Sequence, residues 1–260
     1  AAPSPVSAVF AGLLTKIGVY AMIRTETLLF PGELRTLLLV IAGLTMVVGV
    51  LGAIAQTDMK RILSFHIVSQ IGYMIMGLAL GGVAAITATI FYMLHHIPVK
   101  TSLFLVEGVA ARETGSSNLS RVSGLARRSW PLATLFLIPA FSLAGLPPFS
   151  GFLGKLAVVT EGLDQRSWWV VGAALAVSLM TLISMLKIWT GIFWGSPDPE
   201  VGTSGRIGIV RHHRLMAGAT AAVVTLTLAI ALFAGPLYRF CERAAIDVVD
   251  VAAYTTAVLP

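Results

Sequence analysis

Long apolar stretches alternate with short polar ones along the whole chain. Runs near the roughly twenty residues that a helix needs to cross a bilayer occur at about 4–24, 33–56, 62–81, 83–110, 130–160, 167–194 and 214–235. Arg24, Glu33, Asp58-Met59-Lys60-Arg61, Gly81-Gly82, the stretch Arg112 to Arg128, Asp164 to Arg166 and Ser196 to Arg214 punctuate them. In lipid every backbone N–H and C=O must be satisfied inside the segment, so runs of this length form helices. The pattern predicts an all-α, polytopic membrane helical bundle of about seven transmembrane helices. The polar residues 113–118 read as a linker, and no stretch resembles a soluble domain.

The fifth run carries an interruption of its own. Between Gly145 and Gly154 it holds two prolines, Pro147 and Pro148, and three glycines, which break the helix into halves. Broken helices in transporters lie near the bilayer midplane and line the ion site. Lys155 falls just inside the second half. Glu161 points about 120° away from it, so Lys155 is expected to meet a partner or water across a bundle interface.

Composition agrees with a bilayer as solvent. Hydrophobic residues make up 57% of the 260 and charged residues 12%, where soluble domains run near a quarter charged. The net charge of +6 does not indicate nucleic acid, because the Lys and Arg lie between apolar runs rather than on one basic face. Seven crossings put the 57–61 turn and the 111–129 and 195–213 loops on one side. That side carries nine Lys or Arg, counting Arg214, against Arg24, Arg35, Arg166, Arg239 and Arg243 on the other; the basic side is expected to be cytoplasmic. Trp168, Trp169 and Trp194 read as an interfacial belt. The lone Cys241 forms no internal disulfide. The chain opens Ala1-Ala2-Pro3-Ser4-Pro5 with no basic segment ahead of its first run, which reads as a fragment rather than a signal peptide.

A charge at mid-bilayer costs about 2.5–3.5 kcal/mol on insertion scales, so the charges inside the runs call for a reason. Lys16 lies near mid-depth, with Gly12 one turn earlier leaving room for a neighbour or water; the alternative is snorkelling to the interface. In the fourth run His96, Lys100 and Glu107 fall within about 40° of one another, a single polar stripe that rises about 16 Å. Pro98 withholds a hydrogen bond from the carbonyl of Leu94. An imidazole one turn from an ammonium suits proton relay. The bland alternative pairs Lys100 with a neighbouring carboxylate. His95 and His96 point about 100° apart, with no cysteine or carboxylate at ligand spacing, so no metal is expected. Lys187 reads equally as functional or as an anchor near the aromatic end Phe193-Trp194. His66, one turn past Lys60-Arg61, reads as a capping or solvated histidine. No Gly-Lys-Ser/Thr phosphate loop, Gly-x-Ser-x-Gly, paired cysteines or His-Glu-x-x-His occurs, so no cofactor is expected and energy comes from an ion gradient or a partner.

Several segments together resemble the antiporter-like subunits shared by respiratory complex I, membrane-bound hydrogenases and Mrp-type multisubunit sodium/proton antiporters. They are Pro3-Ser4-Pro5-Val6-Ser7-Ala8 leading to Lys16, Gln56-Thr57-Asp58-Met59-Lys60-Arg61-Ile62-Leu63, His95-His96 to Lys100, and Leu146-Pro147-Pro148 to Lys155. Ser184-Met185-Leu186-Lys187-Ile188-Trp189 with Phe193-Trp194-Gly195 is most similar to the D-type subunits of the Mrp group. The resemblance implies half of a fourteen-helix inverted-repeat fold. Residues 1–30 would close the first repeat, 31–195 form the second five-helix repeat, and 196–260 hold a loop, a final transmembrane helix and a tail. It also implies that Lys16 links two half-channels, that His96 and Lys100 line the polar axis, and that Lys155 ends the second half-channel. His66, His95, Glu107 and Lys187 are secondary candidates. The expected function is monovalent cation (Na+)/proton antiport in a bacterial plasma membrane, alongside other membrane subunits, with no enzymatic step of its own. The alternatives are a proton-pumping subunit of a redox complex and a non-conducting structural subunit.

Overall fold

The computed structural model describes residues 3–195 and 214–258. Among them six helices are long and apolar enough to cross a membrane. The first rod is α1 (Ser4–Val9), a π-helical turn (Phe10–Leu14) and α2 (Thr15–Leu29). Then come α3 (Arg35–Ala55), α4 (Met59–Leu80), α5 (Gly82–Thr114) and the short α6 (Leu125–Arg128). The fifth run divides as expected, into α7 (Trp130–Ala144) and α8 (Ser150–Asp164). α9 (Trp168–Ile188) passes into a second π-helical turn (Trp189–Phe193), and α10 (Arg214–Leu232), α11 (Ala234–Val249) and α12 (Val251–Val258) complete the described residues. The 196–213 segment used in the charge count lies outside the described residues.

α5 is the axis of the bundle and touches α1, α4, α7, α8, α10 and α11. α3 lies along α4, with the Ser69 hydroxyl donating to the carbonyl of Met46 at 3.0 Å. In lipid such packing rests on van der Waals contact and interhelical hydrogen bonds. The N-cap of α4 ties two connections together. Asp58 accepts from the backbone N–H of Arg61 at 3.0 Å and from the hydroxyl of Ser117. Met59 N–H donates to Ser117 O and Leu119 N–H to Thr57 O, both at 2.9 Å. The 57–61 turn and the 113–118 stretch therefore share one end of the bundle, and that stretch is a docked loop rather than a free linker. Trp168 and Trp194 stand 63% and 65% exposed at opposite ends of a 26-residue helical rod. The rod is about 39 Å long, longer than the roughly 30 Å hydrocarbon core, so its ends reach into the interfaces.

Beyond residue 235 the chain is not an extended tail. α11 lays Tyr238 against Phe91 of α5, ring centroids 5.6 Å apart, and buries Cys241 and Ala245 completely. These two share a face at i, i+4 while Arg239, Glu242 and Arg243 point elsewhere, the pattern of a surface-lying amphipathic helix.

The buried apolar residues fall into two clusters, one toward each end. One takes Ala8 and Ala11, Met59 to Leu63, Val99 to Ala110, Leu132 to Leu143 and Met185 to Phe193. The other takes Val19 and Ile23, Tyr73 to Leu80, Ala85 to Tyr92, Val158 and Val170 to Val177. The first rod, α4, α5 and α9 each pass from one cluster to the other, and α8 leads from the break into the second. In the gap they carry Lys16, His66 and Gln70, His95 and His96, Lys155, and Thr181 and Ser184, all buried. Ser142 of α7, also fully buried, faces the same break in the core.

Candidate functional site

Lys16 sits where the first rod changes its winding. The π-helical turn shifts the backbone register, and the carbonyl of Ala11 inside it accepts from Lys16 Nζ at 2.7 Å, with Thr15 Oγ1 at 3.2 Å. Lys16 is 3% exposed and turns onto its own helix, so it does not snorkel. Gly12 admits a neighbour: a Cβ there would lie 2.2 Å from Thr101 Oγ1 and 3.3 Å from the carbonyl of Ile97 on α5.

α5 runs unbroken through Pro98. His95 Nδ1 lies 2.8 Å from Ser150 Oγ at the start of α8. His96 is fully buried, neither ring nitrogen is hydrogen-bonded among the described residues, and its electrostatic neighbours are Lys16, Lys100, His95 and Lys155. Lys100 Nζ donates to the carbonyl of Leu63 on α4 at 3.2 Å. Among the described residues no carboxylate pairs with Lys100. Glu107 shares the helical face but not the site. Its neighbours are Ser4, Lys60 and Asp58 at the basic end, because eleven residues of helix carry it out of the band.

The broken helix is closed by a lysine. α7 ends at Ala144, Gly145 is left-handed, and the chain turns through Leu146-Pro147-Pro148, the last peptide bond cis, into α8. The final carbonyls of a helix lack intrahelical donors and carry its negative dipole end. Lys155 Nζ donates to Leu143 O at 3.0 Å, Ala144 O at 3.2 Å and Ser178 Oγ at 3.2 Å, using all three ammonium hydrogens. The ammonium also stands 5.0 Å from the centroid of the Tyr73 ring, within cation–π range. The partner expected across an interface is thus the other half of the same broken helix.

Two secondary candidates differ from expectation. His66 is neither solvated nor a cap; it is fully buried in the band, Nε2 2.9 Å from Ser184 Oγ. Lys187 does not snorkel; it donates to the carbonyls of Ile54 and Gln56 at 2.7 Å each and closes the C-terminal end of α3. The neutral members of the band carry no charge to mark them. Tyr92 donates to Gln70 Oε1, Gln70 reaches Thr181 Oγ1 at 3.5 Å, and Tyr73 donates to the carbonyl of Ala174. Their signal in the sequence is a polar residue at one depth in successive apolar runs.

A multi-pass bundle with a buried Lys and His band beside a broken helix has the antiporter-like fold. The family described as NADH:quinone oxidoreductase/Mrp antiporter, transmembrane, matches residues 1–181. Over 261 residues the chain is 42% identical to the D-type subunit of the Na(+)/H(+) antiporter of Alkalihalophilus pseudofirmus, covering 99% of this chain and 52% of that one. A subunit in the structure of the Mrp complex from Dietzia sp. DQ12-45-1b superposes with a TM-score of 0.89 at 36% identity, covering 99% of this chain and 56% of that one. A subunit of respiratory complex I from Thermus thermophilus shares the fold, with a TM-score of 0.82 at 24% identity over 96% and 52% of the two chains. The chain belongs to the NADH:quinone oxidoreductase/Mrp antiporter transmembrane family. It spans about half the length of these relatives.

Proposed function

We propose that this chain is the second half of an antiporter-like subunit in a Mrp-type Na+/H+ antiporter, passing protons along Lys16, His96, Lys100 and Lys155. The observation that carries this is the band itself, whose lysines are held by carbonyls and hydroxyls and, among the described residues, by no carboxylate. A fixed carboxylate would lock each ammonium in its charged form; neutral oxygens leave it free to give up a proton. The name of the 42% relative supports sodium as the coupled cation and other membrane subunits as partners. Residues 1–30 serve as the closing helix of the first repeat, 31–195 as the second repeat and 196–260 as loop, final helix and tail.

The test is sodium-driven dissipation of a pH gradient in everted vesicles, normalised to assembled complex. Lys100→Ala lowers the rate at least about tenfold, as loss of a residue acting in the conducting step does, while the complex still assembles. Rates equal to wild type would leave a structural subunit as the better reading. A redox-driven proton pump is the second reading, favoured by the likeness to complex I. Co-purification with redox subunits in place of small membrane partners would establish it.

The basic end faces the cytoplasm of a bacterial cell in this reading. Ser120, exposed on the loop docked to Asp58, reports it: Ser120→Cys reacts with a membrane-impermeant maleimide in everted vesicles and not in intact cells. Labelling in intact cells alone reverses the orientation. The native Cys241 is fully buried and stays silent.

A further inference from the structure

The last turn of α2 holds a carboxylate that the proton band does not use. Glu26 is 8% exposed; Oε1 accepts the backbone N–H of Gly32 at 3.1 Å, and Oε2 has no hydrogen-bond partner among the described residues. It lines a cavity of about 420 Å³ at the end of the bundle away from the basic loops, with Thr27, Arg35, Leu80, Ile86 and Val249. An adjoining cavity of about 270 Å³ shares Glu26 and Leu78, and its other walls are mostly apolar, among them Met22, Phe30, Leu34 and Leu38. Arg35 donates from Nη2 to Gln165 Oε1 at 2.8 Å, which leaves further guanidinium donors for a ligand. Glu26 and Arg35 are the charged residues of the cavity wall. The nearby Arg24 and Asp250 are already engaged.

An unmet carboxylate oxygen in a buried site is costly, so this cavity is built for a group that donates to it. A bare cation meets Glu26 but adds a second positive charge beside Arg35. A zwitterion with an ammonium and a phosphate meets both and leaves the cavity neutral. The site lies where α2 ends and α3 begins, at the end marked by the exposed Trp168 and Trp169, which is headgroup depth. The adjoining apolar cavity extends alongside α2 and α3 at the level of an acyl chain.

We propose that this is a binding site for a phospholipid with a primary ammonium, the ammonium on Glu26 and the phosphate on Arg35. The inference rests on the membrane placement of the bundle and not on which ion the protein carries. A quaternary headgroup cannot donate a hydrogen bond to Glu26, so the site separates phosphatidylethanolamine from phosphatidylcholine.

The test uses the full-length subunit in its assembled complex, delipidated and exposed to equal amounts of the two lipids, with bound lipid counted by native mass spectrometry. Wild type prefers phosphatidylethanolamine by about tenfold, equivalent to about 1.4 kcal/mol. Glu26→Gln keeps an oxygen for the N–H of Gly32, so the turn folds, and the preference falls to about unity. Arg35→Gln weakens both lipids alike. Equal preference in wild type and Glu26→Gln overturns the proposal, as does heat protection of wild type by sodium alone with lipid binding unchanged between the two. Competition by soluble glycerophosphoethanolamine at lipid-like concentration removes the acyl chain from the site and also overturns it. Sodium-driven transport is a separate readout, so its absence in wild type would count against the antiporter reading without touching this one.

Discussion

Lys155→Met abolishes most sodium-driven proton movement while the complex still inserts and assembles. Methionine keeps the bulk of the side chain and removes the ammonium that joins the two halves of the broken helix. The structural cost is bounded by what stays satisfied. Ser178 still donates to Ala144 O at 2.9 Å, so the carbonyl of Leu143 is the main acceptor left open. One such loss costs about 1–3 kcal/mol, too little to unfold a bundle of this size. The functional cost is larger, because the break then loses its ammonium and His95 on α5 keeps only Lys16 of its two lysine neighbours. A rate at least about tenfold below wild type is expected, as for loss of a residue that acts in the conducting step. Lys155→Gln separates two roles that methionine removes together. Glutamine still donates to Leu143 O but does not titrate, so it restores thermal stability and not transport. Transport at the wild-type level in Lys155→Gln would reduce Lys155 to a cap.

The second large effect concerns Gly151, one turn before Lys155. A Cβ at this position would lie 1.7 Å from the backbone carbonyl oxygen of Ser142 and 3.0 Å from His95 Nε2. The first contact is with backbone, which has no rotamer to escape into, so the halves of the broken helix must separate. That shift moves the carbonyls that hold Lys155 and the Ser150 hydroxyl that meets His95. A displacement near 1 Å in a positioned site costs up to about 100-fold in rate. Gly151→Ala is therefore expected to lose transport by about 10- to 100-fold, with a lower melting temperature. Gly172→Ala is the control, since among the described residues nothing lies within 4 Å of a Cβ there. It leaves both readouts unchanged or slightly stabilises the helix. Equal behaviour of the two variants would mean that the contact across the break does not set the geometry of the site.

What was legible in the sequence depended on how strongly the bilayer constrains a residue. Helix count and approximate limits were readable, because an unsatisfied peptide group in lipid forces each spanning run to be helical and about twenty residues long. The break at Leu146-Pro147-Pro148 was readable from proline chemistry, and the lysines at 16, 100 and 155 stood out because a charge at that depth is expensive. Partners were not readable. That Lys155 caps the other half of its own helix depends on the path of the turn, and that Lys100 reaches Leu63 depends on the packing of α5 on α4. Periodicity put Glu107 on the face of His96 and Lys100, but periodicity carries an angle and not a neighbourhood, and the helix rise took it to the far end. His66 read as solvated because its distance from Lys60 and Arg61 in sequence said nothing about what covers it. Glu26 escaped notice because its run was read as ending at Arg24, whereas α2 continues to Leu29. The sequence alone determined a membrane bundle with costly charges at mid-depth, because lipid penalises each residue locally. Tertiary packing decided which oxygens hold those charges, because a hydrogen bond between helices depends on where two distant segments meet.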